Sequence, residues 1–210
     1  MPTTNRPSAE KQQPRAPKQE RARRTRAHIL QVAAEIFAER GYPSVSLQDV
    51  ADGAAMTKGA VYFHYTNKEA LAVAVVQEHY AHWVPMIAEV RARGLTPLET
   101  LLAVLDGAAE AFRSDTMVQA GARLQIERSL IGTDLPTPYV GWLELLTGLA
   151  TEALEAGQLR PDTDPAALAR VIVAAFFGTQ HISDILTGRA DLIERYTELR
   201  DIIFRGVTAT

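Results

Sequence analysis

Residues 46–71, SLQDVADGAAMTKGAVYFHYTNKEAL, decide how this chain folds. Ser46 and Asp49 have the spacing of a capping box, in which each side chain satisfies a backbone N–H at the start of a helix. Thr57 is placed to cap a second helix over 58–63. Thr66 with Glu69 repeats the box before a long third helix. Ala54 stands in the turn, where a large side chain would separate the helices. Leu47, Val50, Ala51, Val61 and Tyr65 are spaced to pack against one another and against Ile36 and Phe37. Two short helices joined by a tight turn form a helix-turn-helix, which lays its second helix in the major groove of DNA.

On that second helix Thr57, Lys58, Gly59, Tyr62 and His64 are left facing outward. Lys58 supplies a cation, and Gly59 lets the backbone approach closely. Tyr62 can donate to phosphate or lie against a thymine methyl, and His64 can do either or cap the helix end. Lys68, in the first turn of the third helix, is expected on the phosphate rail. Arg23 and Arg26, in the basic run 18–26, and Ser46 complete the expected contacts. The bland alternative for each is solvated surface.

Charge is split along the chain. Residues 1–66 carry ten Lys/Arg and six Asp/Glu, a balance of +4, and residues 67–210 carry twelve and nineteen, a balance of −7. A basic head on an acidic body suits a polyanionic partner, because phosphate contacts supply much of the affinity for DNA. Cys is absent, which removes disulfides and thiolate metal sites and suits a reducing cytosol. The first residues, MPTTNRPSAEKQQPRAPKQ, lack the apolar segment of a secretory signal. The longest apolar runs, such as 171–177, are short for a bilayer span. The expectation is a cytoplasmic protein without a membrane partner.

Residues 1–19, with Pro2, Pro7, Pro14 and Pro17 and almost nothing apolar, are expected to be disordered. From Glu20, Ile29, Leu30, Val32, Ala33, Ile36 and Phe37 recur at helical spacing until Gly41. A long helix runs from the Thr66 box to about residue 93. Thr96-Pro97-Leu98-Glu99 opens a helix to about 113, and another covers about 115–130. Loop 132–138 precedes a helix from about 139 to 157. Asp164-Pro165 opens one to about 186, Gly188 breaks it, and 192–207 forms the last. The fold class is all-α, with about nine helices. Residues 20–66 make the DNA-binding head and 67–210 the body.

The body offers no catalytic set: it has no G-x-S-x-G and no glycine-rich phosphate loop. No enzyme activity and no cofactor is expected. His79 and His82 have zinc-like spacing, but without a further ligand they read as polar residues on the outside of a helix. Aromatics and amides in an Ala/Leu/Val body carry more information. Tyr80, Trp83, Gln125, Tyr139, Trp142, Thr179 and Gln180 interrupt apolar stretches, as the few polar groups of a ligand pocket do, or as core residues with protein or water partners do.

The run 27–71, with ILQVAAEIFAERGY, SLQDVA, MTKGAVYFHY and KEAL, resembles the N-terminal domain of TetR-family transcriptional regulators over about 45 ungapped residues. The resemblance implies a homodimer on a palindromic operator and an all-helical C-terminal domain for dimerisation and a small ligand, usually releasing DNA when bound. Further segments, EHY at 78–80, AGARLQ at 120–125, LPTPYVGW at 135–142, GQL at 157–159 and AFFGTQH at 175–181, resemble the γ-butyrolactone-type autoregulator receptors of actinobacteria, which control antibiotic biosynthesis. Within that branch the likeness is strongest to receptors for methylenomycin furans. It implies Tyr80, Gln125 and Tyr139 as hydrogen-bonding pocket residues, Trp142 as a tryptophan needed for binding, and Thr179 as a position that recognises butenolides. The implied small-molecule autoregulator is a furan acid, a γ-butyrolactone or a butenolide; the alternatives are a repressor that senses an antibiotic or other apolar end product, or a ligand-independent DNA-binding protein.

The family arrangement also implies a dimer through the last two helices. Ala174, Ala175, Gly178 and Ser183 would permit close packing, and Phe176, Ile182, Ile185, Ile202 and Phe204 would supply apolar area. The long helix from Asn67 places Tyr80 about 20 Å from the head, at 1.5 Å per residue. It is expected to act as a lever, kinked by Pro85 beyond the pocket.

Overall fold

The computed structural model describes residues 16–209. The expected disorder of residues 1–15 lies outside them. Residues 16–19 are corrected: they already belong to the first helix, α1 (Ala16–Arg40). The head continues with α2 (Leu47–Gly53) and α3 (Lys58–His64). The body comprises α4 (Lys68–Arg91), α5 (Pro97–Ser114), α6 (Thr116–Ile126), α7 (Val140–Glu155), α8 (Pro165–Thr187) and α9 (Leu192–Val207). Among the described residues these nine α-helices and a 3-10 turn at Arg128–Leu130 are the regular elements, and there is no strand.

Most helix starts follow from local chemistry. Ser46 and Asp49 form the capping box of α2, and Thr96 and Glu99 form that of α5. Thr57 accepts from the Ala60 N–H, and Asp115 and Asp164 cap α6 and α8. The cap of α4 is Asn67, whose side chain accepts from the Ala70 N–H, so the expected Thr66–Glu69 box does not form. Glu69 instead accepts from the Tyr42 hydroxyl at 2.9 Å. The single helix expected over 115–130 ends at Ile126 and passes into the 3-10 turn. α4 runs on through Pro85.

Two apolar clusters fill the molecule. The head cluster is built on Ile29, Ala33, Phe37, Val50, Val61 and Tyr65. It does not stop at residue 66, because Leu71 and Val75 of α4 and Ala120 and Leu124 of α6 lie within it. The body cluster joins Leu101, Val104 and Phe112 of α5 to Leu146 and Leu149 of α7, Ile172 and Phe176 of α8, and Leu192 and Phe204 of α9. α4 and α6 therefore contribute to both cores.

They cross at His79 and Gly121. A Cβ on Gly121 would stand 2.3 Å from His79 Cβ and 2.5 Å from its Cγ. His79 is thus deeply buried rather than on the outside of its helix, and its Nδ1 hydrogen is donated to the Val118 carbonyl at 3.0 Å.

α8 has apolar residues on two sides. Leu168, Ala169, Ile172, Val173 and Phe176 face the core, while Val171, Ile182, Ile185 and Leu186 are exposed. This double character gives an 18-residue window of α8 a mean hydropathy of 1.3, and by length and composition the helix is long and apolar enough to cross a membrane. Of the residues expected at a dimer surface, Phe176, Ser183 and Phe204 are buried within the chain.

The Gly121 contact yields a direct test. Gly121→Ala must push α6 away from α4 at a buried ring, which is expected to cost roughly 1–3 kcal/mol as overpacking does. Urea denaturation with an unchanged midpoint would show that the crossing is looser than described.

Candidate functional site

The head presents one face of α3. Leu47, Val50, Ala51 and Ala54 are buried and hold α2 on α3 through Val61 and Tyr65. The turn places Ala55 in the left-handed region, at φ +54. Thr57, Lys58, Gly59 and Tyr62 face solvent, and His64 is half-buried. The Lys58 ammonium lies 5.7 Å from the centre of the Tyr62 ring, so the two form one cationic–aromatic patch. Nothing stands within 4 Å of where a Gly59 Cβ would be, so its surface is open to a close backbone approach.

Phe63 is the residue that sequence reasoning passed over. It is 81% exposed and meets the His64 ring edge-on at 5.1 Å. A large apolar side chain left in water on a recognition helix was the available signal. Ser46 is exposed, with its hydroxyl and N–H engaged by Asp49. Among the described residues Arg23 is paired only with Glu20, at 4.0 Å, and the Arg26 guanidinium lies over the Tyr65 ring.

Lys68 is corrected. Its ammonium donates to the Tyr42 carbonyl at 2.9 Å and sits 4.0 Å from the Tyr42 ring centre, so it is held inward rather than offered to a phosphate. Burial, reinforced by Glu69, pushes the Tyr42 hydroxyl up to about 12, which keeps it a donor to that carboxylate.

The second site lies where α4, α6, α7 and α8 meet. Tyr80, Gln125, Tyr139 and Trp142 converge there with His79, Phe177 and Gln180. The Gln125 amide donates to the Tyr80 oxygen at 2.9 Å and to the Pro136 carbonyl at 3.1 Å. Its own Oε1 is buried without a partner, as is Oε1 of Gln180. Tyr139 precedes α7 at φ +69, a left-handed conformation that is uncommon for an aromatic residue, with its ring 4.7 Å from that of Phe177. Trp142 is buried against Trp83, with ring centres 5.1 Å apart.

The space among these residues is about 20 Å³, room for a single water. A second gap of about 10 Å³ on the far side of Trp142 and Phe177 is lined only by apolar and aromatic residues. The site is assembled but nearly closed, with Trp142 and Phe177 as the wall between the two gaps.

Thr179 is not among the lining residues. On α8 the cavity is met by Phe177 and Gln180, three residues apart, and Thr179 is turned away from their shared face. Gln180 holds the lining position expected of Thr179. His79 and His82 point to different partners, the Val118 carbonyl and the Asp115 carboxylate at 3.3 Å. Among the described residues no group of three or more His, Asp or Glu could hold a metal.

Burial holds His79 down to about 4, against the raising effect of its bond to Val118. Its folded value lies below its unfolded one, so its contribution is present above about 6.5 and is lost as pH falls toward 4. At about pH 5 the loss is expected to be about 2 kcal/mol. Urea titrations at pH 7 and pH 5 check this: His79→Gln is expected to flatten the difference, and an equal difference in the variant would remove His79 from it.

Residues 29–75 match the family model for bacterial regulatory proteins of the tetR family, and residues 95–209 match the tetracyclin repressor-like C-terminal domain. The chain is 35% identical over 182 residues to the A-factor receptor protein of Streptomyces griseus, covering 87% of this chain and 63% of that protein. It therefore spans less than two thirds of that relative's length. A solved structure described as "Molecular basis for control of antibiotic production by a bacterial hormones" superposes with a TM-score of 0.83 at 56% identity, covering 89% of this chain and 98% of that one. CprB from Streptomyces coelicolor, in complex with its biological operator sequence, superposes with a TM-score of 0.81 at 30% identity, covering 90% and 91%.

Proposed function

This chain belongs to the TetR family of bacterial regulatory proteins, and from that membership and its two sites we propose that it is a cytoplasmic, non-enzymatic transcriptional repressor released from its operator by a small diffusible ligand. One observation carries the proposal. α4 begins beside the recognition unit and, twelve residues on, places Tyr80 against Gln125 in a buried site with an unpartnered amide oxygen. A buried acceptor without a donor costs on the order of 1–3 kcal/mol, and a ligand hydroxyl would recover that.

The lining supports one class of ligand. Tyr80, Tyr139, Trp142 and Phe177 provide aromatic walls, and Gln125 and Gln180 provide two polar positions. That suits a small molecule with an apolar body and one or two oxygen functions: a γ-butyrolactone, a butenolide or a furan acid. The likeness to the A-factor receptor and to a structure concerned with hormone control of antibiotic production supports such an autoregulator. The tight cavity would also suit a ligand-independent DNA binder. The gathering of Tyr80, Gln125 and Gln180 on one cavity tells against it, because a core made only to stay shut is lined by apolar side chains.

DNA would be met by Lys58, Gly59, Tyr62 and Thr57, with Phe63 against a thymine methyl and Arg23 and Arg26 on phosphates. A second copy would cover the outer face of α8. Val171, Ala174, Gly178, Ile182 and Ile185 follow one another at three- and four-residue spacing there, with Ile202 exposed on α9. Two heads so joined suit a palindrome with half-sites about 34 Å apart or a multiple of that.

Two experiments test the two ends. With a duplex selected from a randomised pool, Lys58→Ala is expected to weaken binding and lower the salt slope by about one. An unchanged slope would remove Lys58 from the phosphate contacts. Trp142→Ala is expected to keep duplex affinity while losing release by a panel of one γ-butyrolactone, one butenolide and one 2-alkyl-4-hydroxymethylfuran-3-carboxylic acid. Release equal to that of the native chain would remove Trp142 from the ligand site, and a native chain that none of the three releases would overturn the autoregulator assignment.

A further inference from the structure

We infer that Arg123, in the last turn of α6, and Glu127, the residue that caps its C-terminus, form a latch through which the cavity controls the head, a route separate from the α4 lever. The inference rests on the proposed ligand-released repressor. Arg123 Nη1 donates to the carbonyls of Ala38 at 2.8 Å and Glu39 at 3.1 Å. These belong to the last turn of α1, where carbonyls lack partners within the helix and a cation is favoured. Arg123 Nε donates to Glu127 Oε1 at 3.2 Å, and Glu127 Oε2 accepts from the Tyr42 N–H at 2.6 Å. The last turn of α6 and its cap thus hold both sides of the bend that ends α1.

The bend is shaped for this grip. Gly41 lies at φ +74, and a Cβ there would stand 2.5 Å from Glu127 Oε1 and 2.9 Å from Arg123 Nη2. Glycine therefore meets two demands at once, a left-handed backbone and close approach by the latch. Tyr42 passes the grip onward, since its carbonyl takes the Lys68 ammonium and its hydroxyl donates to Glu69, both in the first turn of α4.

The same turn of α6 lines the cavity. Ala122, Gln125 and Ile126 face the space beside Tyr80 and Trp142, interleaved with Arg123 and Glu127. A helix moves as a unit over one turn, so α6 cannot yield to an enlarged cavity while leaving Arg123 in place on α1. The latch also has room to open. A groove of about 390 Å³ runs beside it, lined by Arg123, Glu127, Gln180, Asp184 and Arg189. Gln180 lines both this groove and the cavity.

The latch makes Arg123 and Glu127 positioning residues that touch neither ligand nor DNA. A double-mutant cycle with two independent perturbations of the cavity tests it. One is the three-compound panel, and the other is Phe177→Trp, which overfills the cavity from α8 without any compound. Each is expected to lower duplex affinity about tenfold in the native background and less than about threefold in Arg123→Met, a loss of coupling rather than of binding. Compound affinity of the free variant is expected to stay within about threefold of native, which a general loosening of the fold would not allow. Glu127→Gln keeps an acceptor for Tyr42 but loses the ion pair, and is expected to fall between; it also serves as the reading if Arg123→Met does not fold. Equal losses in native and variant backgrounds would overturn the latch. If Phe177→Trp acts and the compounds do not, the ligand assignment fails and the cycle still reads the latch. If neither perturbation reaches the DNA, both fall.

Discussion

The crossing of α4 and α6 at His79 and Gly121 is the constraint on which the rest of this structure depends. It lies between the two apolar cores, and both helices continue into each. On the head side Val75, Val76, Ala120 and Leu124 are buried with the helix-turn-helix, and on the body side Trp83, Val118 and Ala122 are buried with α5 and α7. The glycine allows two backbones to approach as closely as a buried imidazole permits. The Val118 carbonyl then fixes that ring and gives its Nδ1 hydrogen a partner. Neither core can rotate on the other without disturbing this contact. A regulator needs that stiffness at the junction between its two ends.

Beside the crossing, head and body are joined by polar contacts rather than by apolar area alone. Arg123, Glu127, Tyr42, Lys68 and Glu69 form one chain of hydrogen bonds from α6 through the end of α1 to the start of α4. Apolar contacts tolerate small slides, whereas hydrogen bonds demand distance and direction. A joint made in this way has discrete arrangements, made or broken, which is the property that lets a small shift have a large consequence.

What could be read from the sequence was local. Ser46, Thr57, Thr96 and Asp164 act within three residues of themselves, so their caps and the helices they open were legible. The Thr66 box failed for a reason outside that window: Glu69 is drawn to Tyr42, 27 residues away, and Asn67 caps instead. The convergence of Tyr80, Gln125, Tyr139 and Trp142 came from family resemblance, since nothing in their spacing brings positions 45 apart together. Thr179 and Gln180 differ by one residue, and helix alignment good to a residue cannot choose between faces 100° apart. His79 was misread because its acceptor lies on another helix. The signal for its burial was Gly121 in the run AGARLQ, a glycine inside a helix that only close packing explains. The Arg123 contacts span 85 residues and left no local trace.

The closed cavity sets the terms on which any ligand acts. A molecule larger than one water must part Trp142 and Phe177 from Tyr80 and Gln125, and it opposes the aromatic contacts that now hold them. It recovers the hydrogen bonds that Gln125 and Gln180 lack. Because ligand binding requires the opened form, its whole affinity is differential between open and closed, and a ligand shifts an equilibrium only by that difference. On the proposed latch, the closed form would keep α6 seated and Arg123 on the end of α1, so tight packing in the ligand-free state and responsiveness to ligand would be one property. A roomier pocket would bind more readily and signal less, since part of its affinity would be equal in both states and would move nothing.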